Sequence, residues 1–273
     1  MDGYLVKNLN FLCHRVEKKH DGVLILDGDE RAGKSTLGKA IGYYIAWKLG
    51  RKFTADDILF DIDKLFELFR TTRNKVFVWD ESALGGLGQD FAEKAQKLLI
   101  QMLMTAGKYN HVLVCIVPKF RTLRRYIADD RSLALIRVYL KNNIDRGYFM
   151  SFNKQKKAIL YNSEAKNQWH NIKCDYYGRF VDVTGKIIDE SVYEKNKDEA
   201  IMKIGQEEKK ESKHEARWKE KYARTLYVIC EEKKIMPASK LAKLIGVTDV
   251  EVQTMVRRQK PEIILKNAGE AVI

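Results

Sequence analysis

Gly28-Asp29-Glu30-Arg31-Ala32-Gly33-Lys34-Ser35-Thr36 follows the apolar run Val23-Leu24-Ile25-Leu26 and precedes Leu37, Ile41, Tyr44, Ile45 and Lys48, spaced three or four apart as far as Gly50. The run reads as a buried strand and the spacing as a helix. The nine residues between them fit the phosphate-loop pattern G-x-x-x-x-G-K-[ST]. In that context the pattern carries a mechanism. Backbone N–H groups from Asp29 to Ser35 are expected to wrap a β-phosphate, with the positive end of the helix macrodipole aimed at the same anion. Lys34 would add a mobile charge for the β and γ oxygens, and the Ser35 hydroxyl would be a ligand for Mg²⁺.

Lys75-Val76-Phe77-Val78-Trp79-Asp80-Glu81 is the second informative stretch. An apolar strand ending in two acids is costly in a packed core unless the carboxylates emerge at the carboxyl edge of the sheet, where open α/β sheets bind ligands. Asp80 is expected to hold the Mg²⁺ shell, and Glu81 to polarise a water for in-line attack on the γ-phosphate. Both acids are expected to reach the triphosphate from a strand adjoining that of the loop. An acid beside the metal-holding Asp favours nucleotide hydrolysis over binding alone.

The 273 residues have room for one sizeable α/β core and a smaller unit, and 45% are hydrophobic. Fifty Lys and Arg against 37 Asp and Glu leave a net charge of +13, which favours a polyanionic partner such as DNA. Cys13, Cys115, Cys174 and Cys230 are far apart and make no metal-binding spacing with the five histidines. They fit a reducing cytoplasm. No run is long and apolar enough for a membrane span, so a cytoplasmic protein is expected.

Asp56 to Phe60 reads as a short extra strand, and Asp61 as the N-cap of a helix bearing Ile62, Leu65, Phe66 and Phe69. The glycine-rich Ser82 to Gln89 follows the acids, and a helix is expected over Phe91 to Ala106. Asn110 to Val117 is another buried strand, stopped by Pro118. Its tip carries no Gln, Asn or Thr to sense a γ-phosphate, which leaves Lys119 as the substitute. Arg121 to Arg137 holds five arginines, of which Arg131 first and Arg124 second are candidates to reach a neighbouring subunit's γ-phosphate. Arg31 is a competing candidate within the chain. Leu135 to Leu140, Tyr148 to Phe152 and Ala158 to Tyr161 read as an antiparallel meander, with Lys154 to Lys157 as a turn. Asn162 to Val192 reads as irregular with short strands, and Glu194 to Lys221 as a charged helix or linker.

The C-terminal pattern differs. Tyr222, Leu226, Ile229 and Cys230 define one helix, Pro237 opens a second that Gly246 breaks, and Thr248 caps a third carrying Val250, Val252 and Val256. Two short helices joined by a glycine turn suggest a helix-turn-helix, with Arg257, Arg258 and Lys260 as candidate DNA contacts.

The phosphate loop, the strand ending Asp80-Glu81, and Arg131-Ser132-Leu133-Ala134-Leu135-Ile136-Arg137-Val138 leading into Arg146-Gly147-Tyr148-Phe149 resemble ATP-binding proteins of the zonular occludens toxin type. These phage and mobile-element proteins are related to the FtsK–HerA superfamily of DNA-pumping ATPases. The resemblance covers roughly residues 20 to 180. It implies a RecA-like fold, Mg-ATP hydrolysis, assembly of a homo-oligomeric ring, and DNA translocation or packaging. The chain departs from it in lacking a polar sensor, a membrane span and a nuclease domain. The expectation is therefore an α/β protein: a RecA-like P-loop core with a mainly parallel sheet extended by antiparallel strands, plus a small C-terminal helical unit. Its expected divisions are 1–165, 166–221 and 222–273. The alternative is an ATP-switched DNA-binding regulator; a small-molecule kinase is disfavoured by the charge.

Overall fold

The computed structural model describes residues 1–80, 89–164, 172–207 and 213–258. Its centre is a seven-stranded sheet: β1 (Gly22–Gly28), β2 (Ile58–Leu59), β3 (Val76–Asp80), β4 (Val112–Ile116), β5 (Ala134–Lys141), β6 (Asp145–Phe152) and β7 (Tyr176–Arg179). The spatial order is β2-β3-β4-β1-β5-β6-β7. The first five strands run parallel, and β6 and β7 extend them antiparallel. Parallel strands covered on both faces read as unbroken apolar runs, which is why β1, β3 and β4 stand out in the sequence.

Helices fill the two faces. α1 (Gly3–Glu17) and α2 (Lys34–Lys48) cover one. There Leu24, Leu26, Val78, Val114, Ile116, Ile136 and Val138 meet Leu5, Leu9, Leu12, Leu37, Ile41 and Ile45. α3 (Ile62–Thr71), α4 (Gln89–Tyr109) and α5 (Lys154–Glu164) cover the other, against Val23, Ile25, Phe77, Trp79, Leu113, Cys115 and Leu135. Successive side chains of one strand therefore serve opposite cores. The expected Asp61 cap is present: its carboxylate accepts the Asp63 N–H at 2.8 Å, and Ile62, Leu65 and Phe69 are buried behind it. α1, which was not anticipated, is capped by Asp2 and buries Leu5, Leu9, Leu12, Cys13 and Val16 on one stripe.

Four expectations are corrected. β4 lies between β1 and β3, so the acidic strand does not adjoin the phosphate-loop strand. The segment read as a turn and a third meander strand, Lys154 to Tyr161, is α5. Asn153 Oδ1 accepts the Gln155 and Lys156 N–H groups, each at 3.0 Å, and so starts a helix. Its place in the meander is taken by β7. The helix expected to end at Gly107 runs through it to Tyr109. Finally, α6 (Thr184–Ile187) and the first turn of α7 (Glu190–Glu207) are helical where the sequence read as irregular; from Glu194 onward α7 is a helix as expected, but not a wholly solvated one. Ile188, Tyr193 and Ala200 are buried in the core of the first unit.

The chain forms two compact units, Met1–Gly205 and a second beginning at Gln206. The second contains α8 (Lys213–Tyr227), α9 (Ala238–Ile245) and α10 (Asp249–Arg258) around Leu226, Leu241, Ala242, Val252 and Val256. Gly246 ends α9 in the left-handed conformation, and Thr248 and Glu251 form a reciprocal capping box on α10. Of the apolar positions that marked the third helix, Val250 is exposed, as is Leu244 on α9.

Candidate nucleotide site

The loop between β1 and α2 rises from the carboxyl edge of the sheet. Gly28 has φ 131°, and a Cβ there would lie 1.8 Å from the Val138 carbonyl oxygen of β5, so only glycine fits. That carbonyl accepts the Asp29 N–H at 3.0 Å, while the Asp29 carboxylate accepts the Leu140 N–H at 3.2 Å. The loop is thus tied to β5 at both ends of one residue. Lys34 is buried, and its ammonium donates to the carbonyls of Gly28 at 2.9 Å and Asp29 at 2.8 Å. Burial holds its pKa below the usual lysine range, opposed in turn by Asp27, Asp80, Asp29 and Glu30. Ser35 and Thr36 are half-buried, Ala32 is buried, and Arg31 is exposed with φ 58°.

Asp80 ends β3 opposite Ile116 of β4, whose own neighbour across the sheet is Leu26 of β1. It is buried at 1% exposure and its charge acts on Lys34 from across β4. Lys34, Ser35 and Asp80 therefore converge although one strand, β4, separates β3 from the strand that carries the loop. Glu81 and the glycine-rich residues 82–88 lie outside the described residues.

Two aromatic side chains that sequence reasoning missed cover this convergence. Tyr193 of α7 is 3% exposed and hydrogen-bonded to the Ser35 side chain. Burial, then the Asp80 charge, push its phenol far above the usual range, and the Ser35 hydrogen bond opposes them. Its ring packs on Phe60 at 5.5 Å and lies 3.8 Å from the Lys39 ammonium, which also pairs with Glu190 at 3.7 Å. Phe180 packs over the loop itself: a Cβ on Gly33 would sit 3.3 Å from its ring.

A second missed feature lies at the same edge. Asp27 is buried and takes two hydrogen bonds from Arg137, Nε at 3.0 Å and Nη2 at 2.6 Å, plus the Phe120 N–H at 3.1 Å. Asp27 and Arg137 face each other in register on β1 and β5. One of the five arginines thus has a structural partner that alternation on β5 does not disclose.

The remaining candidates are dispersed. Arg131 pairs with Asp21, just before β1, and Leu133 next to it donates to the Val23 carbonyl at 2.8 Å. Arg131 therefore stands at the amino edge of its own sheet, opposite the loop. Arg124 is exposed, and its N–H donates to Gln96 at 2.7 Å. Lys119 is exposed at the tip after β4, and its carbonyl accepts from Thr122. Arg257 is exposed on α10 and Arg258 closes that helix; Lys260 lies outside the described residues. Among the described residues no helix is long and apolar enough to cross a membrane.

A cavity of about 410 Å³ lies elsewhere, between α1 and the sheet, lined by Leu5, Leu9, Leu24, Ile136 and Tyr176. None of its described lining residues belongs to the loop, and its walls are mainly apolar.

The fold and the carboxyl edge define a mixed α/β protein with a RecA-like core, in which a strand is interposed between the phosphate-loop strand and the acidic strand. Comparison with protein-family models and with curated proteins finds no match.

Proposed function

We propose that this protein binds Mg-ATP at residues 28–36 and hydrolyses it as an oligomer, coupled to DNA binding and to DNA translocation or packaging. The observation that supports this most is the buried Lys34 ammonium, which among the described residues donates to two neutral loop carbonyls, beside Ser35 and the buried Asp80. A triphosphate can replace those two carbonyls with charge-assisted hydrogen bonds, which are stronger. Ser35 and Asp80 supply the hydroxyl and carboxylate that would hold Mg²⁺, whose chemistry when bound is to neutralise charge on the β and γ oxygens. Asp29 fixes the start of the loop against β5, its own N–H being spent on Val138, so that the phosphates fall to N–H groups further along the loop. Glu81 follows Asp80 directly and is the residue to take a proton from the attacking water. An arginine from a neighbouring subunit completes the site. Arg124, exposed, is better available for this than Arg131, which is engaged by Asp21 at the other edge.

The test is ATP turnover with and without DNA, beside sizing in Mg-ATP. Glu81→Gln should keep ATP binding and lose hydrolysis; full turnover in that variant would remove Glu81 as the base.

A second reading, an ATP-switched DNA-binding regulator, is favoured by Tyr193. Its hydrogen bond to Ser35 competes with the metal ligand role of that hydroxyl and would slow each cycle. A motor shows DNA-stimulated turnover and displaces roadblocks, whereas a switch turns over slowly and releases DNA on hydrolysis.

A further inference from the structure

β5, β6 and β7 place alternate side chains on one face of the sheet. One rung across that face is Tyr139, Tyr148 and Arg179, and the next is Arg137, Met150 and Tyr177. The Tyr139 and Tyr148 rings lie 5.9 Å apart, and the Arg179 guanidinium and Lys141 ammonium stand 5.0 and 5.4 Å from the centre of the Tyr148 ring. Lower on the same face, Leu135 and Phe152 are buried in the core that α5 covers. Towards the carboxyl edge the cover ends. Tyr139 and Tyr148 are half-buried, Lys141, Arg146 and Arg179 are exposed, and Tyr177 is 72% exposed.

Tyr177 is too exposed to serve a core, and a sheet face needs no row of three tyrosines, two half-buried and one exposed, to be soluble. The three strands carry four basic side chains and one acid, Asp145. Of the basic four, only Arg137 is committed to Asp27. Flat rings interleaved with guanidinium and ammonium groups suit a ligand that has π-faces and a chain of phosphates. A duplex keeps its base faces stacked inside, so only an unpaired strand can use the rings.

We propose that this face of β5–β6–β7 is a stacking platform for single-stranded nucleic acid. Bases stack on Tyr177 and on the Tyr148–Arg179 pair, while Lys141, Arg146 and Arg179 neutralise phosphates. The platform's two rungs, at Arg137 and Tyr139 of β5, flank the Gly28–Val138 pair, and Leu140 of the same strand is bonded to Asp29 of the phosphate loop. A strand seated there lies along the edge that carries the nucleotide site. The inference deepens the DNA-binding part of the proposed function and rests on it, but is independent of hydrolysis.

Fluorescence anisotropy of a labelled oligothymidine and of a duplex, without ATP and over a salt series, tests it. The wild-type chain should prefer the single strand. Tyr148→Ala combined with Tyr177→Ala should weaken that binding by roughly tenfold or more, since each stacked base contributes a factor of that order, with the salt slope unchanged. Arg146→Gln with Arg179→Gln should instead lower the slope of log affinity against log salt by about 1.4, the value for two phosphates on a single strand. Tyr177→Trp should keep the affinity and show indole quenching on binding, which a folding defect would not produce. Wild-type affinity in the double tyrosine variant, or equal binding of duplex and single strand, overturns the platform. ATP turnover by a chain that binds no oligothymidine sinks the platform and leaves the ATPase reading standing; oligothymidine binding without turnover does the reverse.

Discussion

The two ends of the parallel sheet bury polar groups in different ways. At the amino edge the fold closes off most of them, although the buried Nε of Arg131 has no hydrogen-bond partner among the described residues. His111 accepts the Lys75 N–H at 3.1 Å on Nδ1 and donates from Nε2 to the Phe69 carbonyl at 3.1 Å, tying α3 to the start of β3. Arg131 is matched to Asp21, and the buried Lys157 donates to the Ala128 and Asp129 carbonyls of the turn before β5. At the carboxyl edge the buried ammonium of Lys34 has four carboxylates acting on it, yet among the described residues it donates to loop carbonyls that a ligand can replace. Saturated groups mark architecture; exchangeable ones mark a site. Asp27–Arg137 is the exception that joins the two classes, a saturated pair standing at the carboxyl edge.

The largest effect should come from breaking the exchangeable group. Lys34→Ala removes a donor of charge-assisted hydrogen bonds to phosphate, and at about 1.5–3 kcal/mol for each of two such bonds ATP affinity should fall by roughly 100-fold or more. Because the lost partners are neutral carbonyls that the loop can offer to water, thermal stability should change little. Calorimetric titration beside a melting curve checks both halves. The opposite pattern, a large loss of stability with ATP affinity retained, would place Lys34 in the architectural class.

Arg137→Met should show that opposite pattern. It leaves Asp27 buried among apolar neighbours without its cation, and breaking a buried pair on one side costs about 3–5 kcal/mol. Urea unfolding of the single variant measures it. Asp27→Asn added to Arg137→Met should recover part of the loss, because the uncompensated charge is then gone.

Legibility followed the same division. The loop and the apolar strands could be read because their chemistry is contiguous: nine residues carry the phosphate pattern, and β1, β3 and β4 are unbroken apolar runs. The signal for α5 was also local, since Asn153 stands where an N-cap belongs, but Ala158-Ile159-Leu160-Tyr161 mimics a strand in a window of four. On the helix only Leu160 of that apolar run is fully buried, three residues from the buried Lys157, while Ile159 is exposed. Tyr193 and Phe180 were not legible, because their distance from the loop in sequence exceeds 140 residues and nothing local marks them. The arginines could not be told apart in the sequence for a related reason. Five arginines in one segment share a composition, and only the register of β5 on β1 separates Arg137, at the ligand edge, from Arg131, at the other.

His111 sharpens the amino-edge half through pH. Burial lowers its pKa from 6.5 to about 4, with the Arg51 charge a lesser cause in the same direction and the backbone hydrogen bonds opposing. Below pH 6.5 the unfolded chain binds a proton that the folded ring refuses until about pH 4, so protons favour unfolding throughout that window. The stability it confers is complete above pH 6.5 and is lost as the pH falls towards 4, by up to about 3 kcal/mol. Urea midpoints across this range should fall less steeply in His111→Gln, whose amide does not titrate. An identical pH dependence in the variant would remove His111 as the cause.

Tyr193→Phe should have the smallest effect and tests where the boundary between the two classes runs. The ring keeps its contacts with Phe60 and Lys39, so packing is preserved and only the hydroxyl on Ser35 is lost. If that hydroxyl is a lock, a ligand that needs Ser35 must first break a hydrogen bond worth about 1 kcal/mol net. The variant should then bind Mg-ATP about fivefold more tightly, with no gain for ATP in the presence of a chelator, because Ser35 matters to the metal rather than to the phosphates. Equal gains with and without Mg²⁺ would mean that Tyr193 only occludes the loop. A loss of stability above that of an ordinary hydrogen bond would mean that Tyr193 belongs with His111, a saturated group that happens to stand at the ligand edge.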